Sequence, residues 1–305
     1  MDMKKKLLAL AMTLGLTLTA CGGSSTESAA PAESAAPAGS AAAETAVATG
    51  VEDGVLTVGM ECTYAPYNWT QADDSNGAVP ISNVPGSYAN GYDVMMAKKL
   101  CEANGWELEV VATAWDSLTP ALQAGTLDAV IAGQSMTAKR MEQVDMAGPY
   151  YYATFVCVTK ADGPLADAKG LSDLSGTATA QTGTDWYDFC LPQIKGAEIQ
   201  SAADTAPAMI MAVESGTVDF VCTDKPTAMG AVATYPDLKI LDFSGTDDDF
   251  QFADEAERDS HINIGMSVVK GNTELKDKLN SVLSTMTAND FEALMKQAVA
   301  AQPEI

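Results

Sequence analysis

From residue 51 onward the chain alternates short apolar runs with segments of helical rhythm, and glycine or proline marks most of the changes. A chain built this way has few architectures open to it. Val55–Met60 predicts a strand, and residues 71–90 (QADDSNGAVPISNVPGSYAN), polar and punctuated by Gly and Pro, predict a long loop. A helix follows from Asp93 to the stop at Asn104-Gly105, with Val94, Ala97, Leu100 and Cys101 on one stripe. Next come a strand at Glu107–Val111, a helix at Leu118–Ala124 ended by Gly125, and a strand at Leu127–Ala132. Phe155–Lys160 reads as strand, and Ala178–Ala180 as a strand running through Gly183 into a helix near Thr184. Ala206–Glu214 and Pro226–Thr234 read as helices, and Val218–Cys222, Leu238–Leu241 and Ile264–Val269 as strands. Two helices, about Thr273–Met286 and Asp290–Ala300, close the chain. Strands that are apolar throughout, rather than at alternate positions, belong in parallel or mixed sheets covered on both faces. The predicted class is α/β.

One unit occurs twice. Residues 118–130 (LTPALQAGTLDAV) are echoed by 206–220 (APAMIMAVESGTVDF): helix, glycine cap, Thr, an apolar residue, Asp, then a buried strand. The echo suggests two lobes of similar construction, centred near residues 120 and 210, although many helix–strand corners share this outline.

The first fifty residues lack the means to build a core. Lys4, Lys5 and Lys6 precede an apolar run, Leu7 to Leu18, too short to span a bilayer, and Leu18-Thr19-Ala20-Cys21-Gly22 has the form of a lipobox. Residues 1–20 therefore read as a lipoprotein signal peptide and Cys21 as the lipidated residue. Residues 22–50, rich in Ser, Ala, Pro and Gly and without aromatics, read as a flexible tether. The expected location is the cell membrane, lipid-anchored on the extracytoplasmic face. The 305 residues hold 17 Lys+Arg against 41 Asp+Glu, a net charge of −24, to which the leader contributes +2 and the tether −3, leaving −23 on the body. Such a body offers no basic footprint for nucleic acid and is not drawn to anionic lipid. A single histidine, His261, leaves little room for histidine metal sites or catalytic triads. Phosphate-binding, nucleophile-elbow and paired-cysteine motifs do not occur in the sequence.

Four strings in order carry a resemblance: residues 58–67 (VGMECTYAPY), 91–94 (GYDV), 132–140 (AGQSMTAKR) and 218–224 (VDFVCTD). Together they resemble the family 3 extracellular amino-acid-binding lipoproteins of ABC importers, of the polar amino acid type, over about residues 51–303. The resemblance implies a two-lobed type II periplasmic-binding-protein fold, a Venus flytrap with discontinuous lobes. Residues 51–154 plus 263–305 would form the first lobe and 155–262 the second. It also implies a monomer without cofactor or metal that makes and breaks no bond. Such a protein captures a polar or cationic free amino acid and delivers it to a membrane permease.

The site residues follow from the same strings. A ligand carboxylate suits the planar, bidentate guanidinium of arginine. Local sequence leaves Arg140 open between a surface arginine beside Lys139 and such a clamp; the resemblance selects the clamp. Ser135 and Thr137 would add hydroxyls, Gly133 a carbonyl for the ammonium, and Gly183 and Thr184 helix-start N–H groups. Asp224 matches the acid that takes the ammonium and also suits the N-cap of a helix starting Lys225-Pro226. Tyr64 and Trp115 match ring contacts, and Trp69 is a further aromatic with no clear counterpart. Glu61, Gln181, Asp185 and Trp186 depart from common family residues, and Glu61 and Asp185 predict a pocket suited to a Lys- or Arg-like side chain. The 71–90 segment is expected at the pocket rim. The alternative is a cyclohexadienyl or arogenate dehydratase-like enzyme on the same fold, with Glu61 as its acid. The five cysteines beyond Cys21 are expected as buried thiols, and Asp247–Asp249 with Asp254, Glu255 and Glu257 as a solvated loop.

Overall fold

A computed structural model describes residues 51–302, so the leader, Cys21 and the tether lie outside the described residues. The strand Val55–Met60 pairs in parallel with Glu107–Ala112 on one side and Ala129–Ser135 on the other. The sheet continues through Asn263–Val269 and Val144–Tyr152, both joined antiparallel, giving five strands. A second five-stranded sheet repeats this plan. Ser175–Thr179 lies parallel to Gly196–Ile199 and Phe220–Asp224, and Phe155–Lys160 and Leu238–Leu241 complete it antiparallel. Each sheet carries one lobe of a two-lobed fold, and the first is discontinuous because the chain leaves it after Tyr152 and returns at Asn263. The two passages lie side by side, with Ala153 N–H donating to the Ile262 carbonyl at 2.8 Å.

Helices cover the sheets because their apolar positions recur at helical spacing. Tyr92–Asn104 buries Val94, Met96, Ala97, Leu100 and Cys101 and ends where Gly105 turns left-handed at φ 72°. Each of its large side chains contributes about 1.5–3 kcal/mol by leaving water. The duplicated unit is structural. Trp115–Gln123 leads into Ala129–Ser135, Ala206–Glu214 leads into Phe220–Asp224, and each strand takes the centre of its own sheet. The shared aspartate explains the motif: Asp128 accepts the Thr57 N–H at 2.8 Å, and Asp219 accepts the Thr177 N–H at 2.7 Å. In both sheets the carboxylate ties the helix–strand corner to the neighbouring strand.

Several elements differ from the sequence expectation. Residues 71–90 are not a plain loop. Thr63–Tyr64, Asn68–Gln71, Tyr88–Asn90 and Val79–Pro80 form a small antiparallel sheet, with Ala78, Ile81 and Ala89 buried between its polar residues. Val144–Tyr152 is a strand despite Gly148-Pro149, because an edge position leaves one side of the backbone unpaired and free to hold proline. Gly196–Ile199, also at an edge, was equally hidden by its short, exposed sequence. Of the acidic segment expected as a loop, Asp247–Asp249 is turn and bend, but Asp254, Glu255 and Glu257 start a helix, Glu255–Ile262, whose N-cap Asp254 accepts the Glu257 N–H at 2.9 Å. Carboxylates are favoured in that first turn. The helix expected near Thr184 is present, but as a π-helix, Trp186–Cys190, running on into a 3-10 turn, Leu191–Gln193, with the Thr184 carbonyl accepting the Tyr187 and Asp188 N–H groups. Cys62, Cys101, Cys157, Cys190 and Cys222 are all buried and free.

Candidate functional site

Between the two sheets lies a tight cavity of about 20 Å³. It is lined from the first lobe by Tyr64, Trp115, Gly133, Ser135, Arg140 and Ile264, and from the second by Phe155, Gln181, Thr184, Asp185, Trp186 and Asp224, with Ala153 at the passage.

Arg140 reaches it from a short helix, Ala138–Gln143, set on the end of the strand Ala129–Ser135. Thr137 caps that helix, its hydroxyl accepting the Arg140 N–H at 3.1 Å. The guanidinium donates to the Ser135 carbonyl and lies 5.7 Å from the centre of the Trp115 ring. The backbone turn and the indole together fix one edge of the fork and leave the remainder for a partner. Burial pulls the Arg140 pKa down from its ordinary value, while Asp185 acts in the opposite direction. No acidic side chain among the described residues forms a salt bridge with it.

Asp224 faces the cavity from the end of the strand Phe220–Asp224, 1% exposed. One carboxylate oxygen accepts the Thr227 N–H at 2.8 Å, as N-cap of the helix Lys225–Thr234, and the other accepts the Tyr64 hydroxyl at 2.9 Å. Thr227 in turn donates to the Tyr64 hydroxyl at 3.2 Å. The capping and site-facing roles thus hold at once. Burial pushes the carboxyl above its usual range, and these hydrogen bonds act against the rise. A buried cation brought to Asp224 would find a carboxylate that has no basic partner of its own.

Tyr64 stands in the small sheet and stacks on Tyr67, ring centres 4.8 Å apart, with Trp186 6.1 Å away on its other flank. Gly133 allows this approach. Its φ is 63°, and a Cβ there would sit 2.6 Å from Tyr64 Cε1. The Gly133 N–H donates to the Tyr150 hydroxyl at 3.0 Å, which donates to the buried Asp93 at 2.6 Å; Asn68 donates to the same carboxylate at 2.8 Å. Asp93, pushed up to about 6 by burial, anchors the network behind the wall.

Of the residues singled out in the sequence, the structure therefore brings Arg140, Asp224, Ser135, Gly133, Thr184, Tyr64 and Trp115 to one cavity. Four, Thr137, Gly183, Glu61 and Trp69, stand elsewhere. Thr137 caps a helix and lines an adjoining pocket of about 240 Å³ that also includes Gly183. Glu61 lies behind the wall, accepting a hydrogen bond from Gln181 at 3.4 Å, with its second oxygen buried and unpartnered. Burial raises Glu61 to about 7. Trp69 lines a different, mainly apolar cavity of about 340 Å³. No residue of 71–90 lines the first cavity, so the expected rim is instead support for Tyr64. Thr184 starts the helical turn there, its carbonyl accepting the Tyr187 and Asp188 N–H groups while its hydroxyl donates to the Gln181 carbonyl at 2.8 Å. Ala153, Phe155 and Ile264 were missed; small or apolar residues at the passages between lobes carry no chemical signature in sequence. Asp185 pairs with His261 at 3.0 Å, and that ring stacks on Phe189 at 4.0 Å. This pairing raises the His261 pKa.

Among the described residues no cluster of His, Cys, Asp or Glu is placed to hold a metal ion, and no helix is long and apolar enough to cross a membrane. The sequence pattern of the bacterial extracellular solute-binding proteins, family 3, matches residues 56–299. A probable histidine-binding protein of Neisseria gonorrhoeae is 27% identical over 287 residues, covering 93% of this chain and 90% of its own. The arginine-binding extracellular protein ArtP of Bacillus subtilis is 26% identical, covering 97% and 98%. A crystal structure of the substrate-binding protein of an amino acid ABC transporter superposes with a TM-score of 0.63 at 25% identity, covering 80% of this chain and 98% of that one.

Proposed function

Because the chain belongs to the bacterial extracellular solute-binding proteins of family 3, we propose that it captures a free polar or cationic amino acid and delivers it to an ABC permease. The observation that carries this reading is the pairing of Arg140 and Asp224 on one enclosed cavity. A zwitterion presents a carboxylate and an ammonium a few ångströms apart, and both the half-buried Arg140 and the buried Asp224 lack an opposite charge that the ligand supplies. Arg140 clamps the carboxylate and Asp224 takes the ammonium, helped by the Gly133 carbonyl and the Ser135 and Thr184 hydroxyls. Tyr64 and Trp115, with Trp186, enclose the side chain. Asp185, on the cavity wall, makes the side-chain end acidic, which favours a Lys- or Arg-like ligand. Proteins named for histidine and arginine among its relatives support a cationic ligand.

The lobes, 51–154 with 263–305 and 155–262, close on the ligand, and the closed form is what the permease reads. Cys21 carries the lipid that tethers this monomer to the outer face of the membrane. Binding alone is the activity. The dehydratase alternative assigns its acid to Glu61, which does not line the cavity. Calorimetry with arginine, lysine, histidine and glutamate tests the reading. A basic amino acid binds, glutamate does not, and Arg140→Ala weakens the binding at least about 100-fold. Tight glutamate binding removes the cationic assignment, unchanged binding in Arg140→Ala removes the clamp, and turnover of prephenate or arogenate establishes the enzyme.

A further inference from the structure

Phe155–Lys160 and Phe220–Asp224 are antiparallel neighbours in the second sheet, and Cys157 stands directly opposite Cys222. Both residues are fully buried, and their sulfurs are 3.6 Å apart. Opposed residues of an antiparallel pair hold their Cα atoms about 4.5–5.5 Å apart, inside the window a disulfide accepts. Joining the sulfurs therefore asks for side-chain rotation and leaves the backbone where it is. The family to which the chain belongs is extracellular, and cysteine pairs in oxidising surroundings outside the cytoplasm form and keep disulfides.

We propose that Cys157 and Cys222 form a cross-strand disulfide as the exported chain folds. In this step the two thiols lose two protons and two electrons and gain one S–S bond. The oxidant is the disulfide of another thiol compound, a small molecule or an oxidoreductase, which is reduced to its two thiols through a mixed-disulfide intermediate. The bond forms during folding because the finished structure closes off the sulfurs. There the pair has no exposed surface, and burial raises the Cys222 thiol well above its ordinary range, suppressing the thiolate that exchange needs.

The location gives the bond a role. Residues two apart on a strand share a face, so the bond lies one step beneath Asp224 on one strand and Phe155 on the other. Both of those residues line the cavity. The link closes a loop with a sequence separation of 65 and ties together the two strands that carry this part of the wall. Cys190 is a third buried thiol in the same lobe, close enough to both sulfurs to feel their charge. It is the built-in competitor.

Peptide mapping decides the pairing. The full-length protein is recovered without reductant, denatured, alkylated and digested. The expected result is one linked peptide pair containing Cys157 and Cys222, with Cys62, Cys101 and Cys190 alkylated; after reduction all five are alkylated. Cys190→Ala keeps the link. Cys157→Ser and Cys222→Ser abolish it and lower Tm by about 5–10 °C relative to the oxidised protein. Reduced protein refolded with oxidised glutathione gains the link, while reduced protein kept folded gains it at least about tenfold more slowly. Five alkylated cysteines in protein never exposed to reductant, or a link that includes Cys190, overturns the proposal, and equal oxidation rates overturn the timing. The mapping uses wild-type protein, so it stands even if a serine variant does not fold. It reads no amino-acid binding, so its failure leaves the ligand reading untouched.

Discussion

Glu61→Gln isolates the cost of holding one carboxyl behind the cavity wall. The carboxyl is buried, its only hydrogen-bond partner is Gln181 at 3.4 Å, and its second oxygen has none. Burial is the main cause that raises it from 4.5 to about 7, with smaller contributions from Asp116 and Asp93. The sign follows from proton binding: between these values the folded state holds a proton that the unfolded state has released. The favourable contribution is therefore complete below pH 4.5 and is lost as pH rises through 7. At about 1.4 kcal/mol per pH unit, the interval corresponds to about 3 kcal/mol lost by pH 8. A glutamine has no proton to lose and can still accept from Gln181. In urea titrations of ligand-free protein, wild type and variant should agree at pH 4, and the variant should be more stable by about 3 kcal/mol at pH 8. Parallel pH profiles for the two proteins would refute the reasoning, since they would show that Glu61 titrates in the folded protein as it does in the unfolded chain.

Asp224→Asn keeps an N-cap side chain and an acceptor for Tyr64 but removes the charge. Calorimetry should show at least about 100-fold weaker ligand binding, with a ligand-free Tm equal to or above wild type. Gly133→Ala places a Cβ against Tyr64 on backbone at φ 63° and should cost about 2 kcal/mol in chemical denaturation while weakening binding. His261→Gln removes a pairing whose stabilisation is complete below pH 6.5 and fades as pH rises through the raised pKa of the histidine. The destabilisation should be about 1 kcal/mol larger at pH 5.5 than at pH 8.5, and thermal melts at the two values check it.

The strand–helix alternation was legible because the strands are buried on both faces and the helices end at glycines such as Gly105, whose backbone is left-handed. What escaped were elements whose stability comes from neighbours rather than their own composition. Val144–Tyr152 contains a proline that only an edge position tolerates, and the helix Glu255–Ile262 buries little beyond Ile262. The site divides in the same way. Asp224, a charge at the end of an apolar strand, stands out by itself, whereas Arg140, beside Lys139 in a polar run, is selected only by the resemblance. Phe155 and Ile264 do not stand out, since their place on the cavity is set by how the chain crosses between sheets. Glu61 was adjacent in sequence to the right strand, yet its side chain lies behind Gln181, a distinction that only the packed strands create.

The two passages between the sheets have a mechanical consequence. Joined by the hydrogen bond from Ala153 to Ile262 and by the pairing of Tyr152 with Asn263, they act as two leaves of one flat spring. A single connecting strand would permit swivel and bend alike, whereas two tied abreast resist torsion and leave flexion across their width as the soft coordinate. The rings and charges on opposite walls then meet in one registry each time the spring flexes, so alignment is set by the chain path itself and need not be searched for at every cycle.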